Sequence, residues 1–415
     1  MIATHTLPNG LRLATEQVAG AASVSMHLLV PAGSMRDTEP TNGTAAVFLE
    51  MLFRGTKSHN NEELSHAFDC AGMQRNGGVG TRFLRLTSTT TTDRFEPAMH
   101  LLQSLVMEPS LPESQLDASR ELCLQSLAHL ADEPQEELAV FLRNRHLKRP
   151  LHRSGLGTAE GLATVTADDL RARLADWSVP DGSILAISGG IEADQCVDIV
   201  KQVSAPWAGS TPPDGPVAPP PRGHRLIERS TSQVHLAMAW DAPPAGDASV
   251  VLERLVCASL GGTTSSRLFT EVRQRRSLCY SVGTRYARSP EQGWVVLHAG
   301  TTPENATELV KTCLEETARI AQDLGDEEVE RARRSIMSAL ILQGESSRAR
   351  AAQMAVDIAH RGHCRSLEQR LHEVEQASCQ AVQAYARRYA DLSPTIVAIG
   401  PPGSLPYDTE SGVGA

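Results

Sequence analysis

One succession of strands and helices is written twice along this 415-residue chain, on either side of a proline-rich break. The break, SAPWAGSTPPDGPVAPPPRG from Ser204 to Gly223, holds seven prolines, which remove backbone donors and disfavour both helix and central strand. Before it, Val24, Met26, Leu28 and Val30 alternate on a strand; after it, Val234, Leu236, Met238 and Trp240 do the same. An apolar helix follows each strand, over 44–53 and 248–260. NEELSHAFDCAG then predicts a helix with Asn61 as N-cap and Gly72 as stop, answered in the second half by SSRLFTEVRQRR. Strands ending in LRLTSTTTTD and WVVLHAGTT come next. Long amphipathic helices follow, marked by Phe95, Met99 and Leu102 and by Leu309, Cys313 and Ile320, and the closing strands are SILAISG and PTIVAIG.

A repeat of this length asks each half to bury its own core. The expected fold class is α+β: two homologous α/β sandwich domains, each a mostly antiparallel sheet with one face covered by helices. The boundaries are an N-terminal domain over 1–203, a linker over 204–223, a C-terminal domain over 224–400 and a flexible tail over 401–415, PPGSLPYDTESGVGA.

Composition excludes several functions. Lys and Arg number 39 against 49 Asp and Glu, a net charge of -10, which argues against nucleic-acid binding. Eight cysteines are scattered with no CxxC pair, so they are expected to be reduced core residues. No run approaches the roughly 18 apolar residues of a membrane span, and THTLPNGLRLATE begins a strand-turn-strand near Met1 in place of a targeting segment. A cytoplasmic location without membrane insertion is expected.

The text GTAAVFLEMLFRGT is similar to the signature of the inverted-zincin peptidases (insulinase, pitrilysin and mitochondrial processing peptidase), whose usual form is GxAHFLEHMLFKGT. In HxxEH, two histidines one helical turn apart hold one zinc and the glutamate activates its water. Aligned without a gap, this chain puts Ala46 and Glu50 at the histidines and Leu49 at the general base. A one-residue gap would make Glu50 the base but put Val47 and either Met51 or a deletion at the histidines. The family's third ligand, a glutamate in RxxxxxE, falls on Ser126 of RELCLQS, whose Arg120 matches. The resemblance therefore implies a degenerate site in which this chain binds no zinc. Assembly of another site from remote histidines such as His66, His129 or His146 is the alternative. AGMQRNGGVGTRF stands where active relatives carry GGxxNAxT; Gly77, Gly78 and Gly80 weaken a strand there, so a flexible hairpin is expected as readily as a peptide-binding edge.

SSRLFTEVRQRRSLCYSV closely resembles the family segment SSRLFxxxRexxgLaYsv, matching Ser265, Ser266, Arg267, Leu268 and Phe269 and ending on Arg273 and Tyr280. The resemblance implies that Arg273 and Tyr280 are donors that contact the substrate backbone and steady a developing oxyanion. By composition alone they would be a surface cation and a half-buried strand residue. A chain with this pair and without HxxEH resembles one side of the family's two-subunit members. That implies a noncatalytic, activity-supporting subunit of a metalloendopeptidase heterodimer. Zinc would sit in a homologous HxxEH-bearing partner and peptide substrates in a shared cavity. The alternative is a structural subunit of the same fold with no proteolytic role, like the core proteins of respiratory complexes. ASLGGTTSSRLF lacks the long glycine-rich loop of the processing peptidase's α subunit, so that identity is not implied.

Overall fold

A computed structural model describes residues 2–410. The first half forms strands β1 (Ile2–Thr6), β2 (Arg12–Gln17), β3 (Ser23–Val30), β4 (Gln74–Val79), β5 (Leu84–Thr91) and β6 (Ile184–Gly189). Its helices are α1 (Thr44–Leu52), α2 (Asn61–Cys70), α3 (Phe95–Met107), α4 (Leu116–His129), α5 (Pro134–His146), α6 (Ala159–Thr164), α7 (Ala167–Trp177) and α8 (Ala193–Ser204). The second half forms strands β7 (His224–Glu228), β8 (Val234–Ala242), β9 (Ser281–Arg288), β10 (Gly293–Thr301), β11 (Thr395–Gly400) and β12 (Thr409–Glu410). Its helices are α9 (Val250–Gly261), α10 (Ala306–Asp323), α11 (Asp326–Gln343), α12 (Ser347–Arg361), α13 (Leu367–Gln376) and α14 (Cys379–Ala386).

The two sheets run β1-β2-β6-β3-β5-β4 and β12-β7-β11-β8-β10-β9. Five positions correspond, with β2 parallel to β6 as β7 is to β11, and the inner neighbours antiparallel. The α+β duplication is thus present. It differs only at the rim, where β1 lies antiparallel to β2 but the C-terminal β12 lies parallel to β7. The expected flexible tail is docked as far as it is described, through β12 and the Arg225–Asp408 ion pair; residues 411–415 lie outside the described residues.

The compact units depart from the sequence boundaries. Among the described residues, one gathers 2–129, 149–218 and 343–366, the other 130–148, 219–342 and 367–410. Each unit therefore includes one helix from the opposite half. In the first, Met354, Ala355 and Ile358 of α12 pack on Ala14, Leu29, Ile184 and Ala186. In the second, Leu138, Phe141 and Leu142 of α5 pack on Ile227, Ala237, Val397 and Ile399. The expectation of helices on one face is corrected here: central strands such as β6 and β11 are buried along their whole length, so their second face also needs an apolar cover. Each large side chain so buried contributes about 1.5–3 kcal/mol.

The proline-rich segment also departs from a free linker. Trp207 is buried and donates from Nε1 to the Ser178 carbonyl at 2.9 Å, Thr211 N–H donates to Asp181 at 3.0 Å, and Asp214 pairs with Arg36 and Arg82. Prolines keep it from building a ladder of its own, so side chains tie it to the first unit. Helix α2 is capped by Asn60, one residue earlier than expected, through a capping box with Glu63. Among the described residues no helix is long and apolar enough to cross a membrane.

His27 on β3 is buried, and burial together with the Arg85 and Arg348 charges lowers its pKa from 6.5 to about 4. The native state therefore holds His27 neutral while the unfolded chain takes up its proton below about 6.5. Stability from this residue is fully present above that pH and is lost as pH falls through 4, by up to about 3 kcal/mol. Urea midpoints should be flat near neutrality and fall between about pH 6.5 and 4, and His27→Gln should flatten that slope.

Candidate functional site

Helix α1 is set by its N-terminus. Gly43, at φ 133, occupies a conformation closed to other residues, and the Asp37 carboxylate accepts from the N–H of Gly43 at 2.9 Å and of Ala45 at 3.1 Å. Asp37 is paired with Arg173 of α7, which also donates to the Ala32 and Gly33 carbonyls at 3.2 and 3.1 Å. Burial pushes the Asp37 carboxyl up in pKa, opposed by the Arg173 charge and the two backbone donors.

So held, α1 buries Val47, Phe48, Met51 and Leu52 and presents Ala46, Leu49 and Glu50 on a half-buried face. Helix α4 packs against it. Cys123 of α4 is pushed up to about 12, by burial first and the Glu50 charge second. Ser126 is exposed, and its hydroxyl donates to the Leu122 carbonyl of its own helix at 2.9 Å. The structure thus brings the α1 positions onto one face, but their donor set does not fit zinc: a methyl, an isobutyl group and one carboxylate, with a hydroxyl already engaged elsewhere. Nor do the remote histidines assemble. His66 contacts Cys70 of its own helix at 3.4 Å, and His146, in the second unit, is buried against Thr395 at 3.0 Å. Among the described residues there is no group of three or more His, Cys, Asp or Glu able to hold a metal.

Of the two alternatives for this segment, flexible hairpin or edge strand, Gln74–Val79 forms a regular edge strand hairpinned to β5, with Asn76 opposite Thr87 and Gly77 opposite Leu86. Its glycines accommodate neighbouring side chains. A Cβ on Gly77 would lie 2.6 Å from Leu49 Cδ1 and 3.2 Å from a ring carbon of Phe53. Leucine at the family's general-base position therefore uses space that the edge strand vacates.

In the second unit the matched segment divides into two. Arg267 is structural: it donates to both Glu328 carboxylate oxygens at 2.7 Å and to the Asp323 carbonyl at 2.8 Å. Residues Phe269–Arg275 form a π-helical turn in place of the expected regular helix, and Ser277 follows at φ 51. Wide turns of this kind recur where a side chain must be re-aimed. Here the Arg273 guanidinium lies 4.7 Å from the Phe269 ring centroid and 5.0 Å from that of Tyr280. Tyr280 is 83% exposed, just ahead of the edge strand β9. Among the described residues Arg273 forms no ion pair, so its charge rests on two aromatic faces with its N–H groups available. Sequence reading singled out Arg273 and Tyr280 but missed Phe269 as a partner; its spacing of four residues from Arg273 was the available signal.

Known proteins resemble this chain along nearly its whole length. The profile described as Insulinase (Peptidase family M16) matches residues 12–159, and that described as Peptidase M16 inactive domain matches 164–336. The uncharacterized zinc protease YmxG of Bacillus subtilis is 24% identical over 417 residues, covering 98% of this chain and 100% of that one. The peptidase M16 inactive domain from Pseudomonas fluorescens superposes with a TM-score of 0.87 at 20% identity, covering 99% of this chain and 100% of that one. A chain of complex III2 from Candida albicans superposes at 0.82 with 18% identity, covering 98% of each.

Replacing Gly77 by Val should cost about 1–3 kcal/mol through overpacking against Leu49, with most of the cost removed in a Leu49→Ala background. Urea unfolding of the double-mutant cycle measures the coupling, and simple additivity would show that the two positions do not share space.

Proposed function

Because the chain belongs to the peptidase M16 (insulinase) family, we propose that it is the noncatalytic, activity-supporting subunit of a zinc-dependent endopeptidase, paired with a homologous subunit that carries HxxEH. The observation that carries this reading is the asymmetry between the two motifs. The metal positions hold Ala46, Leu49, Glu50 and a self-bonded Ser126, whereas Arg273 and Tyr280 are stacked, accessible and, among the described residues, without carboxylate partners. A side chain kept only for packing would not be 83% exposed.

The chemistry assigned to this chain is donation. Substrates are peptides or unfolded segments lying in a cavity shared with the partner. The Tyr280 hydroxyl and the Arg273 guanidinium donate to a substrate carbonyl oxygen and hold it more tightly as it gains charge. The Phe269 and Tyr280 rings keep the guanidinium in place without neutralising it. Zinc belongs to the partner, and this chain contributes no ligand to it. Eight unpaired thiols support a reducing, cytoplasmic setting.

The purified chain should carry no stoichiometric zinc and show no turnover, and mixing with an HxxEH-bearing homologue from the same source should produce peptidase activity. In that mixture Tyr280→Phe should lower kcat by about 10–100-fold with little change in KM, the signature of a contact made mainly in the transition state. Unchanged turnover with Tyr280→Phe and Arg273→Gln would leave the chain a scaffold.

A further inference from the structure

The sheet of the second unit is covered unevenly. Helix α5 seals one face over β7, β11 and β8, while the same face of β10 and β9 stays open beside it. Helix and strands together enclose a cavity of about 580 Å³, within the range of sites that hold small ligands or peptide ends.

Strand register builds the cavity. His235, Gly300 and Ser281 lie side by side across β8, β10 and β9, with Ala237, His298 and Gly283 in the next row. Val296 stands opposite Arg285 in the row beyond. Packing does not demand glycine at 300, where a Cβ would meet nothing closer than His235 Nδ1 and Ser281 Oγ at 3.8 Å. Its missing side chain leaves space.

The lining is mostly apolar, with Trp294 and Val296 on the floor, and its charge is one-sided. Arg143 and Arg285 line it beside one carboxylate, Glu136, in the first turn of α5, and Arg285 and Glu136 are both exposed. Among the described residues Arg285 pairs with no carboxylate. His235 Nδ1 is buried without a hydrogen-bond partner. Burial lowers the pKa of His235 and of His298, the Arg285 charge adding to the effect at His298, so both rings are neutral near pH 7. In a protein of net charge -10, an apolar cavity with this bias suits an anion on an apolar body.

We infer that the cavity captures the free C-terminus of an apolar peptide, its last side chain against Trp294 and Val296 and its carboxylate on Arg285, with His298 and His235 as neighbouring donors. Terminal carboxylate capture is a recurring mode of peptide recognition. A peptide is the occupant because β9 is the outermost strand of its sheet, so a chain whose end enters the cavity can pair with that edge through main-chain hydrogen bonds. This rests on the peptide-processing reading above and adds to it a substrate class, short peptides with free apolar C-termini.

Calorimetric titration of the full-length chain alone tests it, with a heptapeptide ending in Leu-Phe as the free acid, the same peptide amidated, and dodecanoate. The acid should bind at least about tenfold more tightly than the amide, Arg285→Gln should erase the difference, and the cavity-filling Val296→Trp should abolish binding of both. No binding by either peptide, equal binding of acid and amide, or discrimination that survives Arg285→Gln overturns the inference. Dodecanoate binding more tightly than the acid peptide would reassign the cavity to a lipid and overturn it equally. No turnover is read, so loss of partner-dependent activity in the mixing experiment and loss of binding here are separate outcomes.

Discussion

The buried pair of Asp37 and Arg173 is the interaction on which the first unit's site depends. Both residues are 4% exposed, and between them they satisfy two N–H groups at the start of α1 and two carbonyls of the preceding loop. A buried carboxylate at a helix N-terminus also meets the positive end of the helix dipole. Breaking such a pair leaves an unpaired buried charge, at a cost of about 3–5 kcal/mol. This explains why the flanks of the zinc motif are retained while its ligands are not. Gly43 and the apolar positions of α1 serve the anchoring and the core, which this chain needs whether or not a metal is bound.

The second unit meets the same demand with different groups. Glu253 of α9 is buried and accepts from Tyr389, from Tyr385 at 2.7 Å and from Arg388 at 3.2 Å. Burial raises its pKa, against the phenol donors and the Arg388 charge. In each half a carboxylate at or near the first helix is thus tied to the residues just ahead of the closing strand. The repeat keeps this architectural constraint while the side chains that satisfy it have diverged.

With α1 anchored from its end and its inner face, its outer face was free to change. Leu49 then fills the space beside Gly77, and Ser126 turns back onto its own helix. On α1 the residues at the metal-motif positions therefore form a packed, half-buried face. The second unit followed another course: the π-helical turn aims Arg273 at two aromatic rings, and Tyr280 stays in solvent. The same duplicated frame holds one motif that has become ordinary packing and one that remains exposed.

What the sequence determined by itself was what short-range periodicity and local motif carry: two copies of one element order, the α+β class, Ala46, Leu49, Glu50 and Ser126 at the positions matching the family's metal motif, and the pairing of Arg273 with Tyr280. The element order and fold class were legible because alternation and helical spacing state which residues share a face, and the motif positions because the resemblance to the family implies them. Only the tertiary structure decided the rest. An amphipathic helix states that it needs an apolar surface but not which one, so nothing local could show that α5 and α12 cover the sheets of the opposite halves. Trp207 and Asp214 gave no periodic sign that the proline-rich segment would be strapped to the first unit, and the C-terminal stretch read as a tail until β12 paired with β7. The cavity beside β9 was hidden for the same reason. His235, His298 and Arg285 become neighbours through the register of three strands, and register is a property of the assembled sheet, not of any one segment.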